Sequence, residues 1–165
     1  MASVSVKVLE QPSVEVVTGA YRVASTVARV QTENREELYN LTQMVRDFVR
    51  SSGVKAGSVI VSSMHTTCAI LVNEWQDALV QDVKAYLQGL TDGDNYYRHN
   101  DPEWSDCDRH NAESHLRSLL LGTTLTFQVA NGDLVLGEWQ SIIMAELDGP
   151  RERTLRLQAM GVDGK

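Results

Sequence analysis

The chain has 165 residues and a formal net charge of -7, with 42% apolar and 22% charged residues. This length is typical of one domain with its own core, and the composition excludes a disordered chain. We expect a single domain over residues 1–165. The negative charge argues against nucleic-acid binding as the main task, because that binding depends on clustered lysine and arginine.

Membrane and export signals are also missing from the pattern. No apolar run reaches transmembrane length, and the first residues lack the basic start and apolar block of a secretory signal. We therefore expect no membrane partner and a cytoplasmic location. The two cysteines, Cys68 and Cys107, are expected to be free thiols in a reducing compartment.

The N-terminal part predicts two strands and then a helix. Residues 4–10 and 21–30 alternate β-branched residues at period two, which favours strands with one buried face. Asn34 is predicted to cap the helix, with Glu37 three residues later and Gly53 at its end. The apolar residues at helical spacing are Leu38, Leu41, Val45, Phe48 and Val49.

Two further strands, a second helix and a long loop follow. Residues 57–74 predict two strands with His65 near their join. A helix is predicted from Asp77 to about Gly89. Its predicted buried positions are Ala78, Leu79, Val83, Tyr86 and Leu87. Residues 91–110 are rich in turn-forming residues and predict a loop, which at this length is often functional.

The C-terminal part predicts a third helix and a hairpin-rich set of strands. The helix spans residues 111–121, and His115 is expected at the edge of its buried stripe. The residues predicted to face inward are Ala112, Leu116, Leu119 and Leu120. Asn131-Gly132 is a strong hairpin signal, and residues 152–160 predict the last strand. The order favours an α+β fold with a largely antiparallel sheet or sandwich and about three flanking helices.

Two groupings of histidine and cysteine are candidate metal sites. Cys107, His110 and His115 lack the paired ligands of a structural zinc site, and this spacing argues against one. His65, His99 and His115 come from three distant segments that a fold can bring together. Three imidazoles with one open position would suit a catalytic metal. The alternative is that each histidine forms a local hydrogen bond or packs at the surface.

Carboxylates and a glycine segment offer further candidates. Glu74 and Glu146 each follow an apolar run, and beside imidazoles either could orient a ligand or act as a general base. Solvent exposure at a strand end is the alternative. In residues 136–140, "LGEWQ", Gly137 could let the backbone approach a ligand that Gln140 binds. A bulge with a core aromatic explains the same letters.

Arginines cluster near the C-terminus. Arg151, Arg153 and Arg156 lie in or after the segment "DGPRER", and guanidinium groups suit phosphate or carboxylate ligands. A solvated charge run is the alternative. No Walker-type or GxGxxG loop occurs in the chain.

Five motifs together resemble the YjbQ family in order and spacing. They are "HTTCAILVNE" at 65–74, "YRHND" at 97–101, "DRHNAESHLRSLLLG" at 108–122, "NGDLVLGEWQSI" at 131–142 and "ELDGPRER" at 146–153. Members of that family are credited with a secondary thiamine-phosphate synthase activity. One departure concerns charge, since Glu138 stands where many members have threonine.

The resemblance implies a homotrimer with a cleft between adjacent subunits, lined by His65, His99 and His115 as metal ligands or catalytic groups. The other residues implied at the site are Asn73, Glu74, Asn111, Gly137, Trp139, Gln140, Glu146 and Arg153. The implied reaction joins an aminopyrimidine diphosphate to a thiazole phosphate, with a divalent ion such as Mg²⁺ or Zn²⁺ as cofactor. The alternatives are a non-catalytic trimeric regulator that binds a metal or small ligand, and a purely structural or interaction protein.

Overall fold

Two antiparallel sheets and three α-helices make up the described part of the chain, residues 13–164 of a computed structural model. The strands are β1 (Tyr21–Gln31), β2 (Glu37–Asn40), β3 (Ala56–Ser63), β4 (Cys68–Asn73), β5 (Thr124–Ala130), β6 (Asp133–Leu134), β7 (Ser141–Glu146) and β8 (Glu152–Val162). The helices are α1 (Thr42–Ser52), α2 (Asp77–Leu90) and α3 (Ala112–Leu121), with a 3₁₀ turn at Arg98–Asn100. The strand predicted over residues 4–10 lies outside the described residues.

The sheets pack in layers. The larger has the order β1-β8-β3-β5-β6 and the smaller β2-β7-β4, and every pairing is antiparallel. One core lies between the inner faces of the sheets and against α1, where Val45, Val59, Met144 and Leu157 are fully buried. A second core packs the other face of the small sheet against α2. The predicted α+β class is therefore confirmed.

Helix α1 begins later than predicted. The Asn34 backbone N–H does donate to Glu37 Oε2 at 3.3 Å, as in a capping box. The residues that follow nevertheless form β2, because the backbone of Glu37–Asn40 pairs with β7 and Leu38 enters the second core. The predicted start at Asn34 is wrong, whereas the predicted end at Gly53, which has φ 74°, is confirmed.

The other two helices have the predicted bounds to within one residue, but the buried positions differ. In α2, Leu87 is buried as predicted, whereas Tyr86 is exposed. In α3, Ala112 is buried, but the leucines predicted to face inward are exposed. These are Leu116, Leu119 and Leu120. Polar residues of α3 turn to the core instead, because they hydrogen-bond to neighbouring loops.

The hairpin signal and the last strand are confirmed. Asn131 and Gly132 both have positive φ, 53° and 77°, as a two-residue hairpin between β5 and β6 requires. None of the helices described between residues 13 and 164 is long and apolar enough to cross a membrane.

Candidate functional site

His65 lies in the turn between β3 and β4 and is held by the first residues of β8. Its Nε2 accepts a hydrogen bond from the Thr154 backbone N–H at 2.8 Å. The neutral ring therefore carries its proton on Nδ1. Burial lowers the pKa of His65, and the positive charge of Arg153 lowers it further. His65 is thus a neutral imidazole, and its other ring nitrogen, Nδ1, is a hydrogen-bond donor.

His99 and His115 form a pair. His99 comes from the 3₁₀ turn and His115 from α3, and their ring centroids are 4.9 Å apart at 87°, edge to face. Burial lowers the pKa of His115, and the neighbouring His99 lowers it further. The sequence prediction that the long loop and α3 bring these two histidines together is supported by this contact.

Two cavities share His115 as a wall residue. One of about 410 Å³ is lined by Thr66, Thr123 and the outer face of α3, and one of about 320 Å³ by the 3₁₀ turn and the start of α3. Both include His115 and Leu116 in their walls. These volumes fall in the range of small-molecule sites. His115 therefore faces both spaces, and Thr66 brings the segment beside His65 to one of them.

A buried hydroxyl in the wall of the larger cavity has no partner. Ser118 lies one turn after His115, and its Oγ is buried without a hydrogen bond among the described residues. Such a group costs roughly 1–3 kcal/mol when it stays unpaired.

The three histidines of one protomer do not fit the predicted metal ligand set. The Nε2 lone pair of His65 is already used by Thr154. Within residues 13–164, no group of three or more His, Cys, Asp or Glu side chains is arranged to hold a metal ion. A divalent metal ion stays a prediction.

Glu146 and Arg153 form a fully buried ion pair that joins the two sheets. Arg153 Nε donates to Glu146 Oε2 at 2.6 Å, and its Nη2 donates to Glu146 Oε1 and to Thr67. The same carboxylate also accepts from Thr32 Oγ1 at 3.0 Å and from the Asp148 backbone N–H at 2.8 Å. Since its oxygens are engaged inside the fold, Glu146 is placed to orient neighbours rather than to take a proton from a substrate.

Five other predicted site residues lie at the opposite end of the small sheet. The turn Gly137–Gln140 is closed on itself, since the Gly137 N–H donates to Gln140 Oε1 at 2.8 Å. The register pairs Cys68 with Glu146 at one end of the sheet and Asn73 with Ser141 at the other. Five residue steps along a strand separate these ends by about 17 Å. Asn73, Glu74, Gly137, Trp139 and Gln140 therefore do not meet the histidines within one protomer.

Asn111 belongs to the histidine end and leads to residues that the sequence prediction missed. It is buried at the start of α3, and its Nδ2 donates to Asp148 Oδ2 at 2.8 Å. Asp148 also accepts from Arg109 and is paired with Arg151. Burial raises the pKa of Asp148, but the hydrogen bonds from Arg109 and Asn111 outweigh it, so the pKa is lowered overall. Of the arginines considered as anion ligands in the sequence, only Arg151 belongs to this cluster.

The remaining candidates have local roles. Both cysteines are free thiols, as predicted. Cys107 Sγ lies 3.6 Å from Asn111 Oδ1, and burial raises the pKa of Cys68 to about 11. The backbone carbonyl of His110 accepts from Arg35 Nη2 at 3.3 Å, and Glu138 is exposed. Neither Cys107 nor His110 contributes to the histidine pair.

Relatives of the chain agree with this architecture. A UPF0047 protein of Methanothermobacter thermautotrophicus is 42% identical over 80% of this chain and 88% of the relative. The protein YugU of Bacillus subtilis is 35% identical over 81% of this chain and 96% of YugU. A crystal structure of a protein of unknown function from Sulfolobus solfataricus covers 86% of this chain and 99% of its own, with a TM-score of 0.80 and 33% identity.

A family model described as "UPF0047 protein YjbQ-like" matches residues 26–162. That range holds all three helices, every strand except the first five residues of β1, and every predicted site residue. It confirms the resemblance read from the five motifs, while thiamine-phosphate synthesis stays a prediction. The chain belongs to the YjbQ family.

Proposed function

We propose that the chain is an enzyme acting on a small phosphorylated molecule in the cavities beside His115. The observation that carries this proposal is the His99–His115 pair, 4.9 Å apart, with His115 in the walls of two cavities and His99 in the wall of one. Because the pKa of His115 is lowered, its ring is neutral near pH 7 and can accept a proton or a hydrogen bond from a substrate. Thr66 and Thr123 add polar residues to the wall of the larger cavity.

Thiamine-phosphate synthesis is the first reaction to test, since it is the activity implied by the family resemblance. In that reaction the bond between the pyrimidine methylene carbon and a diphosphate oxygen breaks. The thiazole nitrogen forms the new bond to the same carbon, and diphosphate leaves. The protein must mainly orient two substrates and stabilise charge on the departing group. A pair of imidazoles in a cavity of this size is suited to the first task.

The active unit in this proposal is a cytoplasmic homotrimer. The predicted site residues fall at two ends of one sheet, about 17 Å apart along the strands, so they could come together only across copies. The exposed leucines of α3 adjoin His115 and offer an apolar surface for a second copy. Free thiols at Cys68 and Cys107 suit a reducing compartment.

The test is an assay of the purified chain with both precursors, in which product and diphosphate are separated by chromatography. We expect His115→Asn and His99→Asn to lower turnover by about 100-fold or more, which is the usual worth of a positioned acid or base. His110→Asn is the matched control, because it lies outside the pair and its φ of 49° suits asparagine. Assays with and without Mg²⁺ or Zn²⁺ test the predicted divalent ion separately.

The outcomes separate the alternatives. Full activity in folded His115→Asn and His99→Asn variants would show that the site is assigned wrongly. Binding of the precursors without turnover, lost in the same two variants, would instead support the non-catalytic ligand-binding regulator. Circular dichroism of each variant shows whether it keeps the fold.

A further inference from the structure

Asp148 gathers two arginines that are only half-buried. Arg109 donates to it from Nη2 to Oδ1 at 2.9 Å and from Nε to Oδ2 at 3.2 Å, and Arg151 Nη2 lies 3.3 Å from Oδ2. The Asp148 side chain is 1% exposed, whereas those of Arg109 and Arg151 are 41% and 39% exposed. A buried carboxylate thus holds two guanidinium groups that remain open to solvent.

The loop that carries this cluster is fixed from several sides. The Asp148 N–H donates to Glu146 at 2.8 Å, the Gly149 N–H to Arg35 O at 2.9 Å, and the Arg151 N–H to Thr32 Oγ1 at 2.8 Å. A Cβ on Gly149 would lie 2.3 Å from a backbone oxygen, so the chain is closely packed there. Groups held in this way need little reordering to bind a ligand.

Two arginines share the single buried carboxylate of Asp148, and both keep solvent-exposed guanidinium groups. Arg153, the arginine singled out from the sequence, is different, because it is buried and already paired with Glu146. Arg109 and Arg151 therefore differ from Arg153 in that an anion could reach both of them.

The cluster is close in sequence to the elements that position His115 and His65. Asn111, which binds Asp148, starts the helix that carries His115 one turn later. Thr154, three residues after Arg151, is the residue that binds His65. The two arginines therefore lie on segments that lead directly to α3 and to the residue that binds His65.

We propose that Arg109 and Arg151, positioned by Asp148, bind the phosphate or diphosphate group of the substrate. Guanidinium groups recognise phosphate oxygens through directed, charge-assisted hydrogen bonds. This assignment rests on the proposed function and deepens it. It moves the anion site from Arg153 to its solvent-open neighbours and leaves Glu146 and Arg153 as a structural support.

A second cluster in the chain provides a matched control. Arg46 and Arg50 share Asp133, with distances of 3.3 and 2.7 Å. The chemistry is the same, but Asp133 is 32% exposed, and the cluster lies on α1 and β6, which carry none of the four histidines. This second cluster also has two guanidinium groups on one carboxylate, but that carboxylate is not fully buried and no histidine lies on its elements.

The test is titration calorimetry of the full chain with inorganic pyrophosphate and, separately, inorganic phosphate. We expect Arg109→Gln and Arg151→Gln each to weaken pyrophosphate binding by about tenfold or more, as loss of a hydrogen bond to a charged group does. Arg50→Gln should bind as the wild type does. Arg109→Lys and Arg151→Lys, which keep the charge, provide folded variants if a glutamine variant does not fold, and they should bind more weakly than the wild type because the fork is lost.

The results distinguish this inference from the proposed function. Pyrophosphate binding that is absent in the wild type, or unchanged in both arginine variants, would overturn the phosphate site, whether or not the chain turns over the two precursors. Weakened binding in those variants and not in Arg50→Gln supports the site even if no turnover of the thiamine precursors is found. In an active enzyme, the same variants should raise KM for the diphosphate substrate more than they lower kcat.

Discussion

Helices α1 and α3 are of similar length but are held in the fold in opposite ways. The apolar stripe of α1 is turned into the core, where Val45 and Val49 are fully buried. On α3 the apolar stripe is turned outward, and Leu119 and Leu120 are 78% and 65% exposed. The residues of α3 that are buried are Ala112, Ser114, Arg117 and Ser118.

The difference shows what each helix does. Nonpolar burial fixes α1, and this is the usual source of helix stability. Directed hydrogen bonds fix α3, from Ser114 Oγ to Leu147 O at 2.5 Å and from Arg117 Nε to Thr91 Oγ1 at 2.7 Å. These anchors leave the leucines on the outer face of α3 exposed and place His115 beside the two cavities.

The largest expected effect comes from removing the main polar anchor of α3. Arg117 is buried and is paired with Glu36 and Thr91. Arg117→Ala leaves these groups without their donor, and we expect it to lower the free energy of unfolding by about 3 kcal/mol. Urea unfolding followed by circular dichroism measures the change.

The matched control for that change is Arg50→Ala on α1. Arg50 is half-exposed and pairs with Asp133 at the surface, so its loss should cost less than about 1 kcal/mol. If the two variants lost equal stability, the contrast between a polar anchor on α3 and a surface pair on α1 would be wrong.

A smaller effect is expected from the exposed leucines. The double variant Leu119→Ser, Leu120→Ser should change the stability of one protomer by less than about 0.5 kcal/mol per site, because both side chains are solvent-exposed. The same change should weaken self-association, since it removes the apolar surface beside His115. Size-exclusion chromatography with light scattering reports the mass of each form. A variant with an unchanged mass would show that a second copy covers another face.

The sequence predicted most of the fold because its signals are local. Alternating residues, Gly53 after α1 and the Asn131-Gly132 turn each specify structure within a few positions. The exceptions depend on distant partners. Glu37–Asn40 fits a helical pattern but pairs with β7, and the leucines of α3 fit a buried stripe but are exposed within the described residues 13–164.

The site was only partly predictable for the same reason. Histidines are candidate ligands or catalytic groups in any sequence, and the rings of His99 and His115 are in contact. Whether an arginine or a carboxylate can bind a ligand depends on its burial and on its hydrogen-bond partners. The spacing of residues in the sequence reveals neither of them. The sequence predicted Arg153 and Glu146 as site residues, although the two are paired with each other inside the fold. It did not predict Arg109 and Asp148.

The smallest effect tests the environment of His115 itself. Its pKa in the folded chain is lowered, by burial first and then by His99, from about 6.5 in an unfolded chain. As the pH falls below that value, the unfolded chain binds a proton that the folded chain does not, so stability decreases until the folded pKa is passed. His115→Asn removes this term, and its stability should decrease less than that of the wild type between pH 7 and pH 5. Urea unfolding at several pH values measures both curves, and a direct NMR titration of the His115 ring should show a midpoint below 6.5. Parallel curves for the two proteins would mean that α3 leaves His115 as open to water as an unfolded chain does, contrary to its place between the two cavities.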